Sequence, residues 1–574
     1  MIARIIEFSA RNPFLMLILV VVAIGGGVWA TLTTPLDAIP DLSDVQVIVA
    51  TDWADRSPNI IEDQITYPIV TQLLSAPKVK AVRANSFYGS SLIYVIFEDG
   101  TDLYWARSRV LEYLSGMAGK LPQGVSPQLG PDATGVGWAL EYALIDKTGK
   151  HSLAELRTLQ DWQVQYQIRA VPGVAEVASV GGFVKQYQVT IDPNKLQAHK
   201  ISINQVVEQI RRSNQEVGGR VLEFTGREYM VRGRGYIRNA ADLETVALGA
   251  QIDGTPILVR DVGFVQLGPD IRRGAVDFNG SGDAAGGIVV VRYGESVYDV
   301  LAHVKQVIKD VVEPSLPEGV ELVVTYDRST LIRHSVETLR GKLIEESLIV
   351  SLVCLVFLLR LRSALVAVIT LPLAVLLAML SMRWIGLTSN IMSLGGIAIA
   401  IGAMVDAAIV MIENAHKHLE REQAKPVEVR RPHLEVLIAA GKEVGPSLFF
   451  SLLIITVSFL PVFFLQDQEG RLFKPLAFTK SSSMFFAALL SITVTPFLMT
   501  LLIRGKISPE EKNPINRFLI RVYEPVARLA LKHRYSMIVI ALARCKPARA
   551  REQPNRRRAR SYATAQRSAV VQPL

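Results

Sequence analysis

The stretch NIMSLGGIAIAIGAMVDAAIVMIENAHK, Asn390 to Lys417, decides how the chain is read. It is apolar for long enough to cross a bilayer, which takes roughly 20 helical residues, yet it carries Asp406 past its midpoint. An ionised acid at that depth costs about 2.5 to 3.5 kcal/mol on insertion scales, so Asp406 is expected to face protein or water and not lipid. Desolvation favours the neutral acid, and an acid so placed is expected to take up and release a proton in the physiological range. Glu413 follows two turns later on nearly the same face, as a second candidate for passing protons or as an ion at the headgroups. Gly395, Gly396, Gly402 and Ala403 leave one side of the helix small, which predicts close packing against a neighbour.

Outward from this helix, uncharged runs of similar length lie between Arg11 and Asp37, Arg362 and Arg383, Arg383 and Asp406, Glu443 and Asp467, and Lys480 and Arg504. A further span, from about Leu343 to Leu359, opens on Glu345 and Glu346 and is required by topology. Only with it do the basic loops at Arg360 and Arg362, His416 to Arg431 and Arg504 to Arg534 all fall on the cytoplasmic side. The first span is too long for a signal-peptide core and no small-residue cleavage site follows it, so it reads as an uncleaved anchor. A mean hydropathy of +0.28 with 20% charged residues agrees with a membrane protein. No GxxxxGK[ST], HExxH or CxxC occurs, so the sequence offers no phosphate cradle for ATP and no cofactor motif. Cys354 and Cys545 sit in expected opposite environments, which argues against a disulfide. The net charge of +9 does not imply nucleic acid, because the segment from Arg544 to Leu574 carries +8 of it and leaves +1 for the rest. That segment has no apolar period and interrupts what begins as another span. It reads as a frame-shifted or truncated end, which would make the chain as given a truncated, inactive fragment, or as a basic cytoplasmic tail.

The long polar stretch after the first span falls outside the cytoplasm and contains a repeat. Ser91 to Phe97, a helical Leu103 to Met117 and LPQGV from Leu121 recur as Gly287 to Tyr293, Val297 to Val312 and LPEGV from Leu316. A split βαβ arrangement, one sheet covered by helices on one face, satisfies this pattern. The stretch in between, with strands at Tyr187 to Ile191 and Ile257 to Val259 and a helix at Asn204 to Ser213, reads as an insertion. Past the last full span, Asn513 to Arg534 has the spacing of an amphipathic helix lying on the cytoplasmic membrane surface. Five methionines, Met392, Met404, Met411, Met484 and Met499, lie in the fourth and sixth spans. Thioethers are soft ligands that select Cu(I) over hard cations, but methionine is also an ordinary filler of apolar helices.

Several runs together carry a family likeness: DAIPDLSDVQ from Asp37, YVIFEDGTDLYWARSRVLEYL from Tyr94, LGPDATGVGWALEYAL from Leu129, and the helix around Asp406. They resemble the heavy-metal branch of the resistance-nodulation-division exporters over Met1 to about Ala543. The resemblance implies an α+β membrane protein matching the N-terminal half of such a transporter, a transmembrane helix bundle with periplasmic split βαβ porter subdomains and an inserted docking subdomain. The expected divisions are 1–35 for the cytoplasmic N-terminus and first helix, 36–134 for a first porter subdomain, and 135–180 with 275–335 for a second. The docking insertion is 181–274, helices two to six 336–503, the cytoplasmic amphipathic helix 504–534, the start of helix seven 535–543, and the basic tail 544–574.

The resemblance further implies a secondary transporter and not an enzyme. It would be a homotrimer in the inner membrane that works with a periplasmic adaptor (membrane fusion) protein and an outer-membrane channel. Protons would drive Cu(I) and Ag(I) outward, with no bound cofactor. Asp406 matches the family's proton-relay aspartate, and Met404 with Met484 and Met411 with Met499 match methionine pairs of a metal relay. Met392 matches one member of a third pair, while a periplasmic relay methionine is replaced here by Ile271. Divalent-cation exporters of the branch carry a further acid where this chain has Ala400, which favours a monovalent cargo. The three-methionine site and the later partners of the proton relay are expected beyond Leu574. Two alternatives remain open at this stage: a zinc, cobalt or cadmium exporter of the same branch, and a non-transporting, membrane-anchored binding or assembly protein.

Overall fold

The computed structural model describes residues 1–545 except 118, 136, 252, 273, 359–360 and 505–513, so the reading of segment 544–574 falls almost wholly outside the described residues. The chain opens on a short helix α1 (Ile2–Arg11) and turns at Asn12 into α2 (Pro13–Thr33). Asn12 ends α1 by donating from Nδ2 to the Phe8 carbonyl at 2.8 Å. Pro13 then starts α2 where its missing N–H costs nothing. After a large extramembrane region come α3 (Arg328–Leu358), α4 (Leu361–Ile385), α5 (Ile391–Gln423), α6 (His433–Ser458), α7 (Asp467–Ile492) and α8 (Val494–Leu502). Helices α9 (Pro514–Lys532) and α10 (Arg534–Cys545) complete the described chain.

Among the described residues five helices are long and apolar enough to cross a membrane: α2, α4, α5, α6 with its continuation to Phe464, and α7. Helix α3 is not one of the five. It runs for 31 residues without a break, and its first half is polar, with Lys342 paired to Glu345 at 2.7 Å. Its Cys354 is a buried free thiol. The last span differs from the expectation of a helix starting at Lys480. It begins at Asp467 and breaks at Thr493 before α8, because Asp467 and Arg471 bond to the extramembrane region and so extend the helix into polar sequence. The helices share one apolar core. Helix α2 approaches α4 at Gly27, where a Cβ would lie 2.5 Å from Leu376 Cβ.

Two four-stranded sheets fill the region between α2 and α3. The first has β1 (Gln46–Asp52), β2 (Val79–Phe87), β3 (Ser90–Phe97) and β4 (Gln128–Leu129) in the order β2-β3-β1-β4. In β1 and β3 burial alternates, as it does when one sheet face meets a core. Ile61, Ile65, Ile69 and Leu73 cover that face from the helical stretch 58–73. Then follow β5 (Trp138–Asp146) and β6 (Val174–Gly181). After them come three antiparallel pairs: β7 (Lys185–Ile191) with β12 (Gly263–Pro269), β8 (Val217–Phe224) with β9 (Arg227–Gly233), and β10 (Ala247–Ala250) with β11 (Pro256–Leu258). Finally β13 (Ala285–Val291) and β14 (Val320–Asp327) join β5 and β6 in the order β6-β13-β5-β14. Matching β1 to β5, β2 to β6, β3 to β13 and β4 to β14 makes the two orders the same, so the sequence repeat is a repeat of topology. Val259, expected to end a strand, instead begins the helical turn Val259–Val262.

Candidate functional site

Helix α5 is started by a reciprocal cap. The Asn390 side chain accepts from Ser393 N at 3.0 Å, and Asn390 N donates to Ser393 Oγ at 2.8 Å. Such caps satisfy amide groups that would otherwise be left bare at an apolar helix end. Just before it the chain is stitched to the end of α2. Asp37 N donates to the Ser389 carbonyl at 3.0 Å, Ser389 N to Pro35 O at 2.8 Å, and Ile391 N to Ala38 O at 3.1 Å.

From that anchor α5 presents two unlike faces. Residues 404 and 411 lie on the side nearly opposite 406, at 100° per residue. On the buried side are Ala400, Met404, Ala407, Ala408 and Met411, none more than 5% exposed. Gly396 belongs there too: a Cβ would meet Thr479 Oγ1 at 2.2 Å and the Leu476 carbonyl at 2.5 Å, so α5 and α7 touch backbone to backbone. On the other side Ile399, Gly402, Asp406 and Val410 are exposed. Nothing lies within 4 Å of where a Cβ would stand on Gly395 or Gly402.

One expectation, about the glycines, is corrected by this geometry. Close packing holds for Gly396 and fails for Gly395 and Gly402. Asp406 is not enclosed by the described chain either: it is exposed, and among the described residues none donates a hydrogen bond to it. The physical reason is the same for both, because the helices packed on α5, which are α3, α4, α6, α7 and α8, leave the stripe with Gly395, Gly402 and Asp406 open.

Glu413 lies on the same open stripe, half-buried, and pairs with Lys417 at 2.5 Å. Nearby, Asn414 Nδ2 donates to the Ala440 carbonyl at 3.0 Å, His418 Nε2 meets Glu443 at 2.5 Å, and His416 meets Ser363 Oγ at 2.9 Å. These contacts fasten the far end of α5 to α6 and α4.

Met404 and Met411 of α5, Met484 of α7 and Met499 of α8 all lie in one continuous buried cluster. A void of about 10 Å³ beside Met404, lined also by Thr370, Ser491 and Thr495, is at the lower limit for a single water. Met392 is half-buried and outside that cluster. Ile271 is far from the helices in sequence, 61% exposed, and lines a separate cavity of about 410 Å³ with Arg157 and Arg272. Among the described residues no group of three or more His, Cys, Asp and Glu side chains has metal-holding geometry.

Sequence reasoning missed the contacts that tie the helices to the sheets. Arg471 of α7 donates to the carbonyls of Leu42, at 3.0 Å, and Ser43, and pairs with Asp44, at 3.2 Å, and Asp99. Its guanidinium holds the Asp99 carboxyl below the usual range. Lys80 reaches Asp467 at 2.6 Å. Asp37 pairs with Arg328 at the start of α3 at 3.1 Å. Burial nevertheless pushes its carboxyl above the ordinary range, with Arg328 opposing. The only signal in the sequence was charge at the ends of apolar runs. It also missed Met379 and Met382, buried against Leu394 and Ile397 in a second, smaller cluster.

The AcrB/AcrD/AcrF family model matches residues 5–546. The chain is 54% identical to the cation efflux system protein CusA of Escherichia coli K12, over 94% of this chain and 52% of that protein. It is 52% identical to the putative cation efflux system protein SilA of Salmonella typhimurium, again over 94% of this chain and 52% of the relative. A crystal structure of a heavy metal efflux pump superposes with a TM-score of 0.79 at 30% identity, covering 94% of this chain and 51% of that one. The chain thus spans about half the length of the curated relatives it matches.

Proposed function

From the premise that this chain belongs to the AcrB/AcrD/AcrF family of transporters, in its heavy-metal efflux (resistance-nodulation-division) branch, we propose that it serves proton-driven export of Cu(I) and Ag(I). The observation that carries this reading is the division of α5: the acids Asp406 and Glu413 on its open stripe, and buried thioethers on the face that meets α7 and α8. Soft thioethers suit monovalent copper and silver and discriminate against hard or oxygen-seeking cations. Ala400, fully buried among the same helices, adds no acid that a divalent ion would want.

Asp406 takes up and releases the proton, with Glu413 as a relay toward the cytoplasmic end. A change of charge at Asp406 alters which surroundings that face of α5 tolerates. Because Gly396 locks α5 to α7, the two helices respond as a unit. Arg471, the Asp37–Arg328 pair and the Ser389 stitch carry that response to the two sheets. Met404, Met484, Met411 and Met499 hand the cation along, and Met392 serves at the periplasmic end. The sheets are read as periplasmic porter subdomains and the insertion as a docking subdomain, in an inner-membrane protein. The β8–β9 hairpin is exposed on both faces, with Phe224 72% and Met230 80% exposed, and supports assembly with further copies into a homotrimer. A periplasmic adaptor and an outer-membrane channel complete the export path.

The test is silver and copper tolerance in a host stripped of its own exporter. Cells carrying the parent chain should outgrow cells carrying Asp406→Asn. Equal protection by the two would refute the proton role, and protection against zinc or cobalt instead would transfer the cargo to the divalent reading.

A further inference from the structure

Helix α1 does not simply precede the membrane. The turn at Asn12 folds its ten residues back under the bundle, against α6 and α8. Ile6, Ser9 and Ala10 form its buried stripe, and Ile6 is completely enclosed. The seat of Ile6 is a pair of glycines one turn apart on α6, in the run Gly441-Lys442-Glu443-Val444-Gly445. A Cβ on Gly445 would stand 2.5 Å from Ile6 Cδ1, and one on Gly441 would stand 3.2 Å from Ile6 Cγ2, so a side chain at either position would have to displace Ile6 from its seat. The same two positions face Met411. Its Sδ lies 3.9 Å from the Gly441 Cβ position and its Cε 3.6 Å from that of Gly445. Ile6 and Met411 therefore converge on one notch, and no other side chain stands nearer to those glycines.

Half-buried Ile2, Ala3 and Ile5 add to this packing. The ionic hold of α1 on α6 is Glu7, which pairs with Lys442 at 2.6 Å while also meeting Arg11 of its own helix at 3.0 Å, and these side chains remain a third or more exposed. A ten-residue helix has little stability of its own, so its position depends on these contacts.

We propose that α1 is a removable stopper on the cytoplasmic end of the thioether seam: Ile6 is its plug in the Gly441–Gly445 notch, the Glu7–Lys442 pair is its latch, and a soft monovalent cation gets to Met411 from this side only when α1 lifts. The metal part rests on the reading of Met411 as a ligand, while the stopper itself rests on packing alone.

The test uses the full chain in membranes and hydrogen peroxide as the probe of access. The thioether sulfur takes one oxygen atom to become sulfoxide as the peroxide O–O bond breaks and peroxide is reduced to water. Mass spectrometry of peptides reads Met411, with the exposed Met230 as the reference for unhindered oxidation. In the parent, Met411 should lag far behind Met230. Glu7→Lys, which sets like charges at the latch, should speed its oxidation about tenfold by raising the open population, and Glu7→Lys with Lys442→Glu should restore the slow rate. Equal rates in the parent and Glu7→Lys overturn the stopper. So does a double variant as fast as the single one, since that reports a damaged fold and not a latch. Silver(I) added to Glu7→Lys should slow the oxidation again by occupying the sulfur. Acceleration that silver leaves unchanged overturns the metal reading of Met411 and leaves the stopper standing.

Discussion

The two faces of α5 differ in what this chain finishes. On the buried face every position is met by a partner, down to the van der Waals seat of Gly396 on Leu476 and Thr479. On the open face Asp406, Gly402 and Val410 are exposed, and nothing stands where a Cβ would sit on Gly395 or Gly402. One helix thus carries buried methionines on one side and an exposed acid on the other. On the proposed reading the difference sets cargo contacts and proton contacts on separate sides of this helix, and each prediction below sets one face against the other.

The largest contrast should come from glycine. Gly396→Leu forces a side chain into the Leu476 carbonyl, and backbone cannot step aside, so unfolding of the purified chain in detergent should show a loss of about 3 kcal/mol or more, or no assembly at all. Gly402→Leu on the open face should change stability by no more than about 0.5 kcal/mol. A comparable loss at both positions would erase the distinction between the faces.

Met411 should rank next. Truncation by Met411→Ala leaves a cavity in a fully buried site and should cost about 2 to 5 kcal/mol. Met411→Leu keeps the volume and should cost less than about 1.5 kcal/mol, yet it removes the sulfur, so silver binding measured by titration should fall while the fold persists. Asp406→Asn, on the exposed side, should move the unfolding midpoint of this chain hardly at all, within about 0.5 kcal/mol.

The smallest effect concerns acid. Asp99 titrates below the ordinary carboxylate range because of Arg471. A depressed carboxyl contributes stability that is complete above its unfolded pKa and lost as pH falls through the folded one. The parent should therefore lose stability on acidification in a step that Arg471→Ala abolishes. The step is small because Asp99 is partly solvated and such pairs are screened.

Much of this was legible in the sequence. A membrane span announces itself by length and lack of charge, so the apolar helices and the depth of Asp406 could be read directly. The repeat around Ser91 and Gly287 was visible because each strand is followed by the same helix and LPxGV turn. What could not be read is direction around a helix axis. Gly395, Gly396 and Gly402 look alike in sequence, and only the placement of α7 separates the packed one from the open two. The start of α7 was hidden because Asp467, Glu469, Arg471 and Lys474 look like a loop until the partners of Asp467 and Arg471 in the extramembrane region are known. Ile6 was an unremarked residue ahead of the first span. Its meaning lies in two glycines more than four hundred positions later.

The most direct test of the central claim is a silver(I) titration of the purified chain in three forms: parent, Asp406→Asn, and a variant with Met404, Met411, Met484 and Met499 all changed to Leu. The separation of faces predicts that Asp406→Asn binds silver as the parent does and that the four-leucine variant, still folded, does not. Loss of binding in Asp406→Asn, or undiminished binding by the four-leucine variant, would contradict it.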